Sequence, residues 1–351
     1  LSIQPNLSLL ARTGGHTSYQ LLPFGWRGTR LALLLLTLTV RLPAVIFYST
    51  ADPAFNSTAP TGSLAGSGWQ WVGNWNGFQG TPIGPHHFLT ARHVDGVVGN
   101  VFILDGISYT STKFYDDTVS DLRIVEVSGT FPTWASLYRT NDEVGKALMV
   151  FGRGLGRGAE VRVNNVLKGW QWGTGGGVLR WGQNVIASTT NGGSYWGDLL
   201  YAAFDKTGGT NEAHLALGDS SGPIFINDGT TWKLAGIAAV VDAYFNTTNT
   251  GAGFNAAIFD ARGLYVGNGT NWSLFTGGSY PVPSGFYATR LSVRTAWIDG
   301  IVTPESVPDS SDAPLLSPTK TVALATLLFG IGARTLRSSS PTQITSRGCR
   351  P

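Results

Sequence analysis

The sequence predicts an all-β protein built from short strands, and three observations carry that prediction. Charged residues make up only 13% of the 351, too few for charged amphipathic helices, whereas 47 Gly and 12 Trp supply turns and strands. The apolar segments "GWQWVGNW", "VGNVFILDG", "DLRIVEV", "KALMVFG", "VRVNNVLKGWQW", "GPIFIND" and "WKLAGIAAVV" are short, and Gly, Asn or Asp usually bounds them. They run from residue 66 to about 302, a pattern that argues for an all-β barrel or sandwich, and no fixed-period repeat is visible. One stretch departs from this pattern. In "YATRLSVRTAWIDGIV", Leu291, Trp297, Ile298 and Ile301 sit near helical spacing, so a closing C-terminal helix is expected.

The two ends differ from the middle. Arg27 and Arg30 precede the apolar run 31–40, and "LPA" follows at 42–44, the basic–apolar–small order of a secretory signal. A leader over residues 1–47 is therefore expected, with export to the cell surface or beyond. At the far end a loop-like "VPDSSDAPLLSPTK" leads into the apolar run 321–333 and then Arg334 and Arg337. Thirteen residues are short for a spanning helix, which needs about 20. The layout resembles a bacterial C-terminal sorting signal, which implies membrane or surface attachment through residues 304–351. The net charge of +3 gathers partly in these ends, and no basic stripe crosses the middle, so no nucleic-acid partner is expected. The single cysteine, Cys349, excludes an intramolecular disulfide.

Chemistry concentrates in three segments. His93 closes "HHFLTARHV", after an apolar approach that reads as a strand. Asp121 opens "SDLRIVEV", ahead of a strand whose Leu122, Ile124 and Val127 read as buried. Ser220 lies in the small-residue turn of "HLALGDSSGPIF". A serine hydroxyl must lose its proton to attack a carbonyl, and imidazole is the side chain best poised to take it near pH 7. A carboxylate fixes the imidazole tautomer and stabilises the imidazolium. Small residues at Gly218 and Gly222 allow backbone N–H groups to face a developing oxyanion. Asp116 and Asp117 compete for the carboxylate role, but only Asp121 leads directly into an apolar strand. His86, His87 and His93 lack a nearby Cys or carboxylate at ligand spacing, so no metal is expected, and no organic cofactor is implied. "GRGLGRG" at 152–158 lacks the βαβ frame of a dinucleotide site and reads as a turn. The Trp residues at 69, 71, 75, 170, 172 and 181 read as packing rather than as a carbohydrate platform.

"LTARHV", "SDLRIV" and "GDSSGP", in that order, resemble the three signature segments of trypsin-like, chymotrypsin-fold serine proteases. "SGFYATRLSVRTAWI" is similar to that family's last strand and C-terminal helix. The resemblance covers about two-thirds of the chain. It implies two six-stranded antiparallel β-barrels with a C-terminal helix, one over 66–131 and the other over 132–303, the second carrying an insertion at 241–284. It also implies peptide-bond hydrolysis through an acyl-enzyme. By position, Ser220 is the nucleophile, His93 the base and then the acid, Asp121 its orienting partner, and the N–H groups of Gly218 and Ser220 the oxyanion hole. Ser221 then stands where the family usually has Gly, as a bystander.

The same resemblance places His214, Ala239 and Gly285 in the substrate pocket. His214 stands where trypsin itself is acidic, which removes the usual reason to expect cleavage after Lys or Arg. Either a charged His214 favouring an acidic side chain or a neutral pocket wall fits the sequence. The insertion is expected to cover the cleft. No activation junction of the Arg-Ile-Val-Gly-Gly type precedes the first barrel, so Asp219 has no evident partner and no activating cleavage is expected. The partner implied is a protein or peptide substrate, and the protein is expected to be a monomer. The competing reading is a catalytically inactive barrel pair that serves as a surface binding module.

Overall fold

The computed structural model describes residues 45–302 apart from Ala243 and Thr270. Of the leader expected over 1–47, residues 1–44 lie outside the described residues, as does the whole of the tail expected over 304–351.

Six strands form the first barrel: β1 (Gly73–Trp75), β2 (Phe78–Gly84), β3 (His87–Ala91), β4 (Val101–Leu104), β5 (Ile107–Asp116) and β6 (Leu122–Val127). They pair antiparallel in the order β1-β2-β3-β6-β5-β4, and β4 returns to β1 through Asn74 opposite Ile103, so no edge is left open. Alternation drives this closure. In β4 the burial pattern strictly alternates, with Phe102 and Leu104 inside and Val101 and Ile103 outside. Phe102 stacks on Phe88 at 4.2 Å between ring centroids, and fully buried Trp75 meets Phe88 edge-on.

The second half contributes β7 (Ala147–Gly152), a hairpin of β8 (Arg157–Val163) and β9 (Val166–Trp172), then β10 (Arg180–Val185), β11 (Ser188–Asn191) and β12 (Asp198–Ala203). After the serine turn come β13 (Pro223–Asn227), β14 (Trp232–Val241) and β15 (Gly285–Arg290). Its main sheet runs β10-β7-β13-β14-β15-β12-β11, antiparallel throughout. β10 and β11 are two halves of one strand, bent at Ile186 and Ala187. The first half pairs with β7 and the second with β12, and Ala187 N–H donates to Tyr201 O at 2.8 Å across the join. The sheet thus closes on itself as a second six-stranded barrel. Its interior is aliphatic, with Leu148, Val150, Leu200, Ile224, Ile226 and Ala288 around Phe286. The fold is a pair of six-stranded antiparallel β-barrels, as expected.

Three details differ from the sequence reading. The closing helix is short, α2 at Thr295–Asp299, because the first part of its segment is β15. It still buries Ile298 and is tied back by Arg139, which donates to the Asp299 carboxylate from both terminal nitrogens at 2.7 and 2.8 Å. The leader boundary at 47 falls inside the fold. Val45, Ile46 and Phe47 are buried, and Ile46–Phe47 pair with Ala213–His214 just ahead of the serine turn. The insertion folds on its own small core. Phe245–Asn246, Tyr265–Gly267 and Trp272–Leu274 form a three-stranded sheet, and Ala256–Ile258 pair with β9, so that Phe245, Ala256 and Ile258 cluster with Val161. The cover it provides falls at least partly on the β8–β9 hairpin.

Candidate active site

Strand register brings His93 to Asp121. β3 and β6 are paired with Ala91 opposite Leu122, so the residues just past one strand and just before the other are neighbours. Arg92 N–H donates to the Asp121 carbonyl at 2.8 Å and His93 N–H to Asp121 Oδ1 at 3.0 Å, which fixes the turn that carries the imidazole. The ring then sits with Nδ1 2.5 Å from Asp121 Oδ2. Asp121 is fully buried, whereas the His93 side chain is 23% exposed. The competing carboxylates are engaged elsewhere: Asp116 with Arg123, and Asp117 with Ser120 and Arg294. His86 bonds Gly129 O, and His87 packs near Tyr115 at the far end of β3. No cluster of three potential metal ligands occurs among the described residues.

Ser220 comes from the second barrel. Its Oγ lies 2.9 Å from His93 Nε2, completing a line from hydroxyl to imidazole to carboxylate across the two barrels. With Nδ1–H donated to Asp121, Nε2 is left as the acceptor that a serine proton requires. Within the turn, Asp219 N–H bonds Ala216 O, Ser221 N–H bonds Ala238 O, and Gly222 N–H bonds Asp219 O. The N–H groups of Gly218 and Ser220 have no partner among the described residues, and those are the two expected to meet an oxyanion. Gly218 has φ +94°, and a Cβ there would stand 2.8 Å from Gly154 Cα, so glycine is required for both conformation and space.

Four supports escaped sequence reasoning. Ser221 is not a bystander. It is fully buried at φ +65°, its Oγ accepts Ala91 N–H at 2.8 Å, and it shares a hydrogen bond with Thr90 Oγ1 at 2.9 Å. It thereby pins the serine turn to the end of β3. Buried Gln79 braces the same turn, donating from its amide to Ser220 O at 2.6 Å while accepting Arg153 N–H at 3.0 Å. Trp196, in the short helix α1 (Gly193–Trp196), presents its ring edge-on to His93 at 5.7 Å. Val45 supplies the partner that Asp219 lacked. The Asp219 carboxylate accepts N–H groups from Gly154 at 2.7 Å, from Ala216 at 2.8 Å and from Val45. Desolvation nevertheless dominates and pushes its pKa up to about 7. "GRGLGRG" is thus a turn that feeds Gly154 to Asp219. Only the alternation of "LPAVIFYS" into an apolar triplet could have hinted at Val45.

The three pocket residues are not equivalent. His214 is sealed, with Nδ1 on Leu215 O at 2.6 Å, Nε2 3.3 Å from Ser284 Oγ, and Phe204 and Phe286 against its ring. Burial lowers its pKa to about 4, so of the two readings open for it the neutral wall fits. Ala239 is the extra residue of a bulge in β14, and Gly285 opens β15. Beyond Ala238, β14 keeps a strand partner, among the described residues, only on its β15 side.

No protein-family model and no curated sequence matches the chain. Among solved structures it is similar to Rv3671c of M. tuberculosis H37Rv, a protease, in its inactive form: 15% identity over 72% of this chain and 96% of that one, TM-score 0.40. A serine-to-alanine mutant of the same protein matches at 14% over 73% and 96%, also with TM-score 0.40. Neuropsin, a serine protease expressed in the limbic system of mouse brain, matches at 14% over 67% and 95%, with TM-score 0.41. The two-barrel fold rests on the strand pairing above.

Proposed function

We propose that the protein is a serine endopeptidase. Ser220 Oγ attacks a peptide carbonyl carbon while His93 Nε2 takes its proton. The resulting oxyanion is received by the N–H groups of Gly218 and Ser220. Collapse breaks the C–N bond, and His93 returns the proton to the leaving amine, leaving an ester on Ser220. Water then repeats the sequence and releases the acid. Asp121 holds the imidazole in place and stabilises its charged form. The observation that carries the reading is the hydrogen-bonded line from Ser220 Oγ to His93 at 2.9 Å and on to Asp121 at 2.5 Å, beside two N–H groups that have no partner among the described residues. The open side of β14 past Ala238 adds an edge along which an extended peptide can lie.

The test is labelling with a fluorophosphonate, which captures only an activated serine. Folded protein is expected to carry label on Ser220, mapped by mass spectrometry, and heat-denatured protein none. His93→Ala should lower peptide turnover by about 10⁴-fold or more. Absence of label on the folded protein would favour the binding-module reading. We also propose that the protein works outside the cytoplasm. Removing residues 307–351 should then leave hydrolysis intact and change where the protein resides.

A further inference from the structure

The chain just past β7 brings a cation to the serine turn. Met149 and Phe151 of β7 pack with the first barrel, Phe151 against Trp69, whereas Leu148 and Val150 fill the second. Continued one step, that alternation sets Arg153 on the side of β7 that faces the groove between the barrels. Its backbone is pinned twice. Arg153 N–H donates at 3.0 Å to the Gln79 amide that itself donates to Ser220 O, and Arg153 O accepts Gly177 N–H at 2.6 Å. One side-chain amide therefore bridges Arg153 to the carbonyl of the serine.

The guanidinium is short of partners. Its Nη1 donates to Gly177 O at 3.3 Å, and its Nε is buried without an acceptor among the described residues. Burial lowers its pKa, and no carboxylate acts to raise it again. The carboxylate of the turn, Asp219, is taken up by Gly154, Ala216 and Val45 N–H groups, and the cation that acts on it is Arg180. Other arginines are compensated: Arg123, Arg139, Arg290 and Arg294 hold carboxylates, and Arg92, Arg157 and Arg180 lie over aromatic rings. Among the described residues, Arg153 is the one arginine with neither an ion pair nor a ring beneath it. It is only partly buried, so a partner can reach it. The acceptor that matches a guanidinium fork is a carboxylate.

The sheet says where such a carboxylate would come from. The turn runs into β13, which lies between β14 on one side and β7 on the other. A peptide with its acyl side along the free edge of β14 continues past Ser220 toward the end of β7, where Arg153 stands. Two extended residues span about 7 Å, within reach of an arginine side chain rooted one amide from the serine.

Resting on the endopeptidase reading, we propose that Arg153 binds a carboxylate on the leaving segment, within two residues of the scissile bond. The substrates it favours are peptides with Asp or Glu there, or with a free C-terminus at that point.

The experiment uses internally quenched peptides that share one acyl-side sequence and carry Glu, Gln, Ala or Lys at the first or second leaving residue. A second series ends two residues past the bond as the free acid or the amide. Competent serines are counted by fluorophosphonate titration. In the wild-type protein, kcat/KM should favour Glu over Gln at one of the two positions, or free acid over amide, by about 10-fold or more. The series that responds tells a side-chain carboxylate from a terminal one. In Arg153→Gln that ratio should fall to near 1, and Arg153→Lys should keep part of it, as a point charge without the fork. Titratable serine with no preference in either series, or with Lys preferred, overturns this proposal alone. An unchanged ratio in Arg153→Gln also overturns it. If no serine titrates, the hydrolase reading falls and this proposal with it. The wild-type preference decides the matter even if the variants do not fold.

Discussion

Replacing Ser221 separates the two serines of the turn by energy as well as by chemistry. In Ser221→Ala, Ala91 N–H loses its acceptor at 2.8 Å inside the protein, while Thr90 keeps a second acceptor in Gln79 O at 3.1 Å. One newly orphaned buried N–H costs about 1–3 kcal/mol, and the left-handed backbone at φ +65° is as unfavourable for Ala as for Ser. Ser221→Gly loses the same bond but relieves the left-handed conformation, which offsets about 1 kcal/mol. Stability should therefore fall in the order wild type, Gly variant, Ala variant, read from urea midpoints with unchanged slope. Fluorophosphonate labelling should slow in both variants, because Ala91 leads directly into the turn that carries His93, yet the label should remain on Ser220. An Ala variant as stable as wild type would refute the clamp. Complete loss of labelling in a folded Ser221→Gly protein would mean that Ser221, not Ser220, is the nucleophile.

Three further outcomes follow from the same geometry. A protein beginning at Val45 carries an α-ammonium where an amide N–H now meets Asp219, and a charge-assisted bond to that buried carboxylate should speed labelling and raise the melting temperature relative to one beginning at Ala44. Equal behaviour would show that the amide suffices. Buried Glu212, whose carboxyl accepts Asp205 N–H and Asn184, has its pKa pushed up to about 8 by burial. An acid raised above its unfolded value near 4.5 contributes stability that is complete below that pH and lost as pH rises through 8. Glu212→Gln should flatten the decline in melting temperature between pH 5 and 8, and an identical slope would contradict the assignment. Trp196→Ala removes the ring that stands edge-on to His93 at 5.7 Å. It should raise KM several-fold while changing kcat little, since packing beside the imidazole guides substrate more than it moves protons. A loss confined to kcat would instead assign Trp196 to holding the imidazole.

The strands and the three chemical segments were legible because both depend on local pattern. Val101 to Leu104 alternates along four residues, and "LTARHV" and "SDLRIV" each mark a strand end. What was hidden depends on register. That Ala91 faces Leu122, and so sets His93 beside Asp121, is a property of pairing between segments 28 residues apart. The kink at Ile186 and Ala187, which lets one strand close the second barrel, leaves no mark in composition. Ser221 was misjudged for a related reason: a serine at a position that usually holds Gly reads as a tolerated variant until its hydroxyl is seen on the other barrel.

The serine turn explains why so much of this site is backbone. A turn that must leave two N–H groups free has to satisfy its other polar groups without occupying them. Here Asp219 reaches back to Gly154 and Ala216, Ser221 reaches across to Ala91, and Gln79 holds the carbonyl of Ser220. Two of these contacts tie strands of the first barrel to the turn, Ala91 on β3 and Gln79 on β2, and Ser221 N–H adds Ala238 on β14 of the second. The hydroxyl at Ser220 is therefore positioned by groups that are themselves fixed by sheet hydrogen bonds, with little of its placement left to side-chain rotamers. A change in any one brace should alter the rate at Ser220 more than it alters overall stability, because the barrels close without the turn whereas the alignment with His93 does not survive its displacement.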